Sequence, residues 1–124
     1  MTKCALVIDD DPITLKILEN TLSVVGFKST LATCGRDALL SLSQDTYDLI
    51  ISDIVMPDLD GRELMHLIRL KEPYQEVPYL IISGALTHEE TNQLLSSLKA
   101  NTRFMAKPID KKILMEHLKV FDLL

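Results

Sequence analysis

Tryptophan is absent from this 124-residue chain and aromatic residues make up only 5%, so any core must be aliphatic. Cysteine is almost absent as well: Cys4 and Cys34 are too few for a disulfide framework. No apolar run approaches the roughly 18 residues of a membrane span. Cations are outnumbered, with 13 Lys and Arg against 18 Asp and Glu and a net charge of −5. That balance excludes a broad electrostatic attraction to nucleic acid or anionic lipid, so neither is expected as a direct partner. Internal repeats, low-complexity stretches and linkers are lacking too. The opening Met1-Thr2-Lys3 has no secretory-signal layout, and a cytoplasmic setting is expected. What is present, 47% hydrophobic and 25% charged residues, is the profile of one globular domain over residues 1–124.

Short apolar runs alternate with segments of helical spacing. Ala5-Leu6-Val7-Ile8, Leu49-Ile50-Ile51 and Tyr79-Leu80-Ile81-Ile82 are continuous, as suits strands buried on both faces. Two mixed segments, about Lys28 to Thr33 and Arg103 to Ala106, read as sheet edges. The first helix opens at Asp11 as N-cap with Pro12 following, carries Ile13, Ile17, Leu18 and Leu22, and stops at Gly26. The second spans about Arg36 to Ser43, with Ala38, Leu39 and Leu42 inward. The third follows Asp60-Gly61 and buries Leu64, Leu67 and Ile68. The fourth starts from the capping box Thr87-His88-Glu89-Glu90 and carries Leu94, Leu95 and Leu98. The last begins at Asp110 and presents Ile113, Leu114, Leu118 and Phe121. Five alternations of strand and helix imply an α/β fold, a doubly wound five-stranded parallel sheet in the order 2-1-3-4-5. In that fold Cys4 and Cys34 lie at opposite ends of neighbouring strands, roughly 15 Å apart. A disulfide tolerates a Cα separation of only about 7 Å, so both are expected to be reduced.

Ligands of a doubly wound sheet bind beyond the carboxyl ends of its strands. The sequence puts a charged or reactive group at nearly every such end: Asp9-Asp10-Asp11, Ser52-Asp53, Ser83 and Lys107. Four segments therefore converge on one rim. Asp9, Asp10 and Asp53 bring three carboxylates close together, and a pair at about 4 Å repels by roughly 4 kcal/mol at an effective dielectric of 20. Such a cluster must protonate, pair with Lys107 or bind a cation. Hard oxygen ligands favour Mg²⁺. A metal and a lysine beside a carboxylate also suit phosphoryl transfer, with Asp53 attacking and Ser83 donating a hydrogen bond to a phosphoryl oxygen.

The segments Leu6-Val7-Ile8-Asp9-Asp10-Asp11-Pro12, Tyr47 to Gly61 with its Met56-Pro57-Asp58-Leu59-Asp60-Gly61 loop, Ile81-Ile82-Ser83-Gly84 and Phe104-Met105-Ala106-Lys107-Pro108 carry a resemblance. Together they are similar to the receiver domain of two-component response regulators, in order and spacing, from about Lys3 onward. The resemblance implies a flavodoxin-like, CheY-like (βα)5 fold. It implies a signalling switch rather than a conventional enzyme, one that assists its own Mg²⁺-dependent phosphorylation and dephosphorylation. Asp53 would accept a phosphoryl group from a histidine kinase or histidine phosphotransfer protein. Asp10, Asp53 and the backbone carbonyl of Val55 would ligate Mg²⁺, with Asp9 assisting through water. Lys107 would pair with the phosphoryl group, its bond to Pro108 being typically cis. Ser83 would swing toward the phosphoryl group and Phe104 would follow, altering a face that a downstream output protein or domain reads. A phosphorylation-dependent dimer is open on this reading. Val55 and Ala85, two positions beyond Asp53 and Ser83, are apolar where the family tunes loss of the phosphoryl group, so rapid self-dephosphorylation is not expected.

Blander readings suffice for several residues. Asp11 needs no role beyond capping a helix. His66, His88 and His117 fall on different helices without ligand spacing and are expected at the surface or its boundary. A haloacid dehalogenase-type phosphatase would need a second Asp two residues after the nucleophile as acid and base, and that position is Val55. A flavodoxin-type cofactor site would need a neutral phosphate loop after the first strand, where Asp9-Asp10-Asp11 would repel a phosphate. A pseudo-receiver that only mediates contacts would not need the full set of chemical residues present here.

Overall fold

A computed structural model of the protein describes residues 2–84, 86–98 and 101–124. Five strands and five helices alternate along the chain: β1 (Lys3–Ile8), α1 (Pro12–Val24), β2 (Phe27–Ala32), α2 (Gly35–Gln44), β3 (Leu49–Asp53), α3 (Gly61–Arg69), β4 (Tyr79–Ser83), α4 (His88–Ser97), β5 (Thr102–Ala106) and α5 (Lys111–Val120). The strands form one parallel sheet in the order β2-β1-β3-β4-β5, as the sequence pattern implied. In register, Ala5 faces Leu49, Ile50 faces Tyr79, and Tyr79 faces Thr102. Each continuous apolar run is buried on both faces of the sheet. All five residues of β3 and all five of β4 are inaccessible, whereas the outer strands β2 and β5 retain exposed positions.

Alternation along the strands divides the core in two. Leu6, Ile8, Ile50, Tyr79 and Ile81 point to one face, under Ala38 and Leu42 of α2, Leu64 and Ile68 of α3, and Leu94 of α4. Ala5, Val7, Leu49, Ile51, Leu80 and Ile82 point to the other, against Leu15, Leu18 and Leu22 of α1 and Leu114 and Leu118 of α5. The helix caps follow the sequence. Asp11, Asp60, Thr87 and Asp110 each accept a hydrogen bond from an amide of the first turn they precede, and Thr87 and Glu90 complete a capping box.

The inward faces of the helices are narrower than their apolar residues suggest. Ile13 and Ile17 are exposed, at 69% and 38%, while Leu15, Thr14 and Thr21 turn inward. The threonines tolerate burial because their hydroxyls are satisfied locally: Thr14 Oγ1 donates to Asp11 Oδ2 at 2.7 Å and Thr21 Oγ1 to the Ile17 carbonyl at 2.8 Å. Leu67, Leu95 and Ile113 likewise lie on the outer flanks of α3, α4 and α5. Cys4 and Cys34 are free and half-buried. No helix is long and apolar enough to cross a membrane, among the described residues.

Candidate functional site

The carboxyl ends of β1, β3, β4 and β5 meet on one rim, and the polar residues predicted there are brought together. Asp9 follows directly on β1 and is fully buried, its amide donating to the Ala32 carbonyl at the end of β2 at 3.0 Å. Asp53 is the last residue of β3 and only 6% exposed. Asp10, by contrast, is exposed to solvent. Each of these three offers a carboxylate oxygen, and the three oxygens lie within 4.8 Å of one another.

Lys107 enters this cluster from just beyond β5. Its Nζ lies 2.7 Å from Asp9 Oδ2 and donates to Asp53 Oδ2 at 3.0 Å. One ammonium thus faces two buried carboxylates. Burial alone would lower the Lys107 pKa, but the close contact and negative charge of Asp9 and Asp53 outweigh it and raise it. Burial likewise pushes the Asp9 carboxyl up, offset only in part by Lys107 and by the Asp11 amide, which donates to Asp9 Oδ1 at 2.9 Å. The Asp9 Oδ2–Lys107 contact is an ion pair without hydrogen-bond alignment, which leaves a buried oxygen without an aligned donor. A hard divalent cation fits this donor set, since it accepts several anionic oxygens and keeps waters of its own.

Ser83 ends β4 beside these groups. It is 3% exposed, and its carbonyl accepts the Lys107 amide at 2.9 Å. The neighbouring Gly84 leaves room for the Lys107 stem: a Cβ there would lie 3.2 Å from Lys107 Cβ. The Lys107–Pro108 peptide is cis. Phe104 pairs in register with Ile81 and packs, half-buried, on the α2–α3–α4 side of the sheet. Val55, two residues past Asp53, has a half-exposed side chain, and its amide donates to Asp53 Oδ1 at 3.2 Å. Ala85 lies outside the described residues.

The blander expectations can be placed too. Asp11 caps α1, and hydrogen bonds from Thr14 and the Ile13 amide hold its carboxyl below the ordinary range. His66 and His88 are exposed, and half-buried His117 accepts from Arg103 Nε at 2.8 Å, so no histidine reaches the rim. One participant escaped the sequence reading. Asp58, in the loop after β3, accepts from the amides of Gly35 and Arg36 at 3.0 and 3.1 Å and so caps α2 from a distance. The signal was available in Cys34, which occupies the N-cap position and has no carboxylate, amide or hydroxyl to cap with.

A sequence profile of the response regulator receiver domain matches residues 5–119. The chain belongs to the response regulator receiver family. It is 34% identical over 118 residues to the two-component response regulator ARR11 of Arabidopsis thaliana, covering 90% of this chain and 22% of that protein. It is 31% identical over 117 residues to the sensor histidine kinase RcsC of Salmonella typhimurium, covering 94% of this chain and 12% of that protein. The receiver thus spans less than a quarter of either of these relatives. Among solved structures, the chemotaxis protein CheY4 of Vibrio cholerae superposes with a TM-score of 0.86 at 26% identity, covering 98% of this chain and 99% of that one. The signal receiver domain of a histidine kinase from Syntrophus aciditrophicus gives 0.83 at 26% identity, covering 97% and 89%. Receivers of this family are signalling switches that occur both in response regulators and within histidine kinases.

Proposed function

We propose that residues 1–124 act as one receiver domain in which Asp53 accepts a phosphoryl group from a histidine kinase or histidine phosphotransfer protein. One observation carries the reading: Asp53, a nearly inaccessible strand-end carboxylate, accepts from Lys107 Nζ at 3.0 Å and lies within reach of the Asp9 and Asp10 carboxylates. An Asp53 oxygen attacks phosphorus, the new P–O bond forms as the P–N bond of the donor phosphohistidine breaks, and the electron pair returns to the imidazole. Lys107 follows the charge onto the transferred group, and Ser83 supplies a hydroxyl donor to one of its oxygens. Asp10, Asp53 and the Val55 carbonyl would hold Mg²⁺, with Asp9 acting through water. When bound, that ion neutralises charge developing on the phosphoryl oxygens. Ser83 and Phe104 then carry the change to a surface read by an output protein or domain.

The decisive experiment is intact-mass measurement after incubation with acetyl phosphate and Mg²⁺. The protein should gain one phosphoryl group and Asp53→Asn should gain none. Equal labelling of the variant would falsify the assignment. The metal has its own test. At about 100 times its dissociation constant, Mg²⁺ should raise stability by roughly 2.7 kcal/mol through linkage. Asp10→Ala, at an exposed position, should remove most of that gain without damaging the core. If this variant keeps the full Mg²⁺ shift in thermal unfolding, the ion binds elsewhere.

Lifetime follows from the apolar Val55, which offers no group to orient the water that would attack the aspartyl phosphate. A half-life of many minutes is expected for the phosphorylated protein, and Val55→Asn should shorten it by about tenfold, equivalent to 1.36 kcal/mol of barrier. Decay in Mg²⁺ buffer gives the answer. A half-life of seconds in the parent, or no acceleration in the variant, would count against the water-orientation argument.

A further inference from the structure

We propose that Asp58 is a positioning residue that pins the β3–α3 loop, and with it the Val55 carbonyl, to the N-terminus of α2. The inference rests on the reading of the acidic rim as a Mg²⁺ and phosphoryl site. An α-helix begins with amides that have no partner inside the helix, and a local Ser, Thr, Asp or Asn ordinarily accepts one of them. In α2 the preceding residue is Cys34, in extended conformation and without a side-chain capping bond. Asp58 supplies both acceptors instead, from a loop more than twenty residues away: Oδ1 to the Gly35 amide at 3.0 Å and Oδ2 to the Arg36 amide at 3.1 Å. These bonds hold the Asp58 carboxyl below the ordinary range although it is exposed, so its charged form is the one the helix uses.

The junction also has an apolar half. Leu59 lies so close to Gly35 that a Cβ on that glycine would come within 2.9 Å of Leu59 Cδ2. Beyond it, Asp60 caps α3 by accepting the Arg62 amide at 2.7 Å, and the Gly61 amide donates to the Ile54 carbonyl at 2.7 Å. The loop is therefore strung between two helix N-termini. At its other end the Val55 amide is held by Asp53 itself. The same turn that receives Asp58 follows directly on Ala32, whose carbonyl accepts the Asp9 amide. Two of the acidic segments are thus tied to one short stretch of chain, residues 32–36, which contributes no carboxylate to the metal cluster. Loss of Asp58 releases the loop carrying the Val55 carbonyl while leaving every carboxylate of the cluster in place.

A helix cap and a loop anchor can be separated by experiment. Asp58→Ala removes both, and Cys34→Ser in that background restores a local cap to α2 without reattaching the loop. Amide hydrogen exchange of Val55, Met56 and Leu59 in metal-free protein, thermal unfolding, and calorimetric titration with Mg²⁺ alone are the three readouts. Asp58→Ala should speed loop exchange, lower the melting temperature and weaken Mg²⁺ binding by about tenfold, as loss of an outer-shell partner does. Cys34→Ser/Asp58→Ala should recover the melting temperature but neither the loop protection nor the affinity. Asp58→Asn, which keeps one acceptor oxygen, should fall between parent and Asp58→Ala in all three. The proposal is overturned if the double variant recovers loop protection and affinity along with stability, or if Asp58→Ala leaves loop exchange unchanged. Should the parent protein itself bind no Mg²⁺, the metal reading fails, while exchange in the metal-free protein still decides the anchoring.

Discussion

Gly61→Ala should destabilise the protein by about 3 kcal/mol, at the upper end for overpacking, and should lower its melting temperature by roughly 10 °C. A Cβ at position 61 would lie 2.4 Å from Ile54 Cα, 2.5 Å from the Asp53 carbonyl oxygen and 2.8 Å from the Ile54 carbonyl oxygen. All three are backbone atoms, so no rotamer change relieves the clash. Either α3 retreats, stretching the bond from the Gly61 amide to the Ile54 carbonyl, or the end of β3 moves and takes Asp53 with it. Both routes loosen the rim, and Mg²⁺ affinity should fall with stability. Gly35→Ala is the informative comparison. There the obstruction is a loop side chain rather than backbone: Leu59 Cδ2, at 2.9 Å, can rotate away, Leu59 Cβ, at 3.0 Å, asks the exposed loop to give by a few tenths of an ångström, and alanine favours the helix. Its cost should stay below about 1 kcal/mol. Urea unfolding of the two variants settles the matter; a Gly61→Ala midpoint equal to that of the parent would mean the close approach is not a constraint.

That contrast shows which parts of the molecule were legible in the sequence. Strands were, because Ala5 to Ile8, Leu49 to Ile51 and Tyr79 to Ile82 are short unbroken apolar runs, alternating with segments of helical spacing, that suit a sheet buried on both faces. The rim was legible for a related reason. A carboxylate at the carboxyl end of such a run, directly after it at Asp9 and one serine further on at Asp53, has nowhere to go except the sheet's carboxyl edge. Helix faces were less so. On α1, Ile13 and Ile17 have the hydropathy of core residues, yet the face one step around the helix is buried because Thr14 and Thr21 can satisfy their hydroxyls locally. Hydropathy assigns no such local bonds. Asp58 was missed for the opposite reason: its partners are more than twenty residues away, and a loop aspartate between Pro57 and Leu59 looks like ordinary turn chemistry. The missing cap at Cys34 was the visible half of a two-part signal whose other half required the fold.

Lys107→Met should be the other costly change, and its cost should depend on divalent cation. The ammonium stands 2.7 Å from Asp9, which is wholly buried, and 3.0 Å from Asp53, which is nearly so. Removing it leaves carboxylates facing one another and the exposed Asp10 without a cation between them. Breaking a buried ion pair by deleting one partner typically costs 3–5 kcal/mol, because the remaining charge keeps its desolvation penalty. About 3 kcal/mol is expected here, at the low end, since the Lys107 side chain is 20% exposed and water can enter where it leaves. Methionine keeps much of the apolar stem that lies along Gly84, so lost packing should contribute little. Thermal unfolding in chelator should show the full loss. Mg²⁺ should then stabilise Lys107→Met more than it stabilises the parent, because the ion enters a cluster from which a competing positive charge has been removed. Two results would sink this account: a variant as stable as the parent in chelator, which would mean the carboxylates do not repel appreciably, or an Mg²⁺ shift no larger than the parent's, which would mean ammonium and metal do not share the same field.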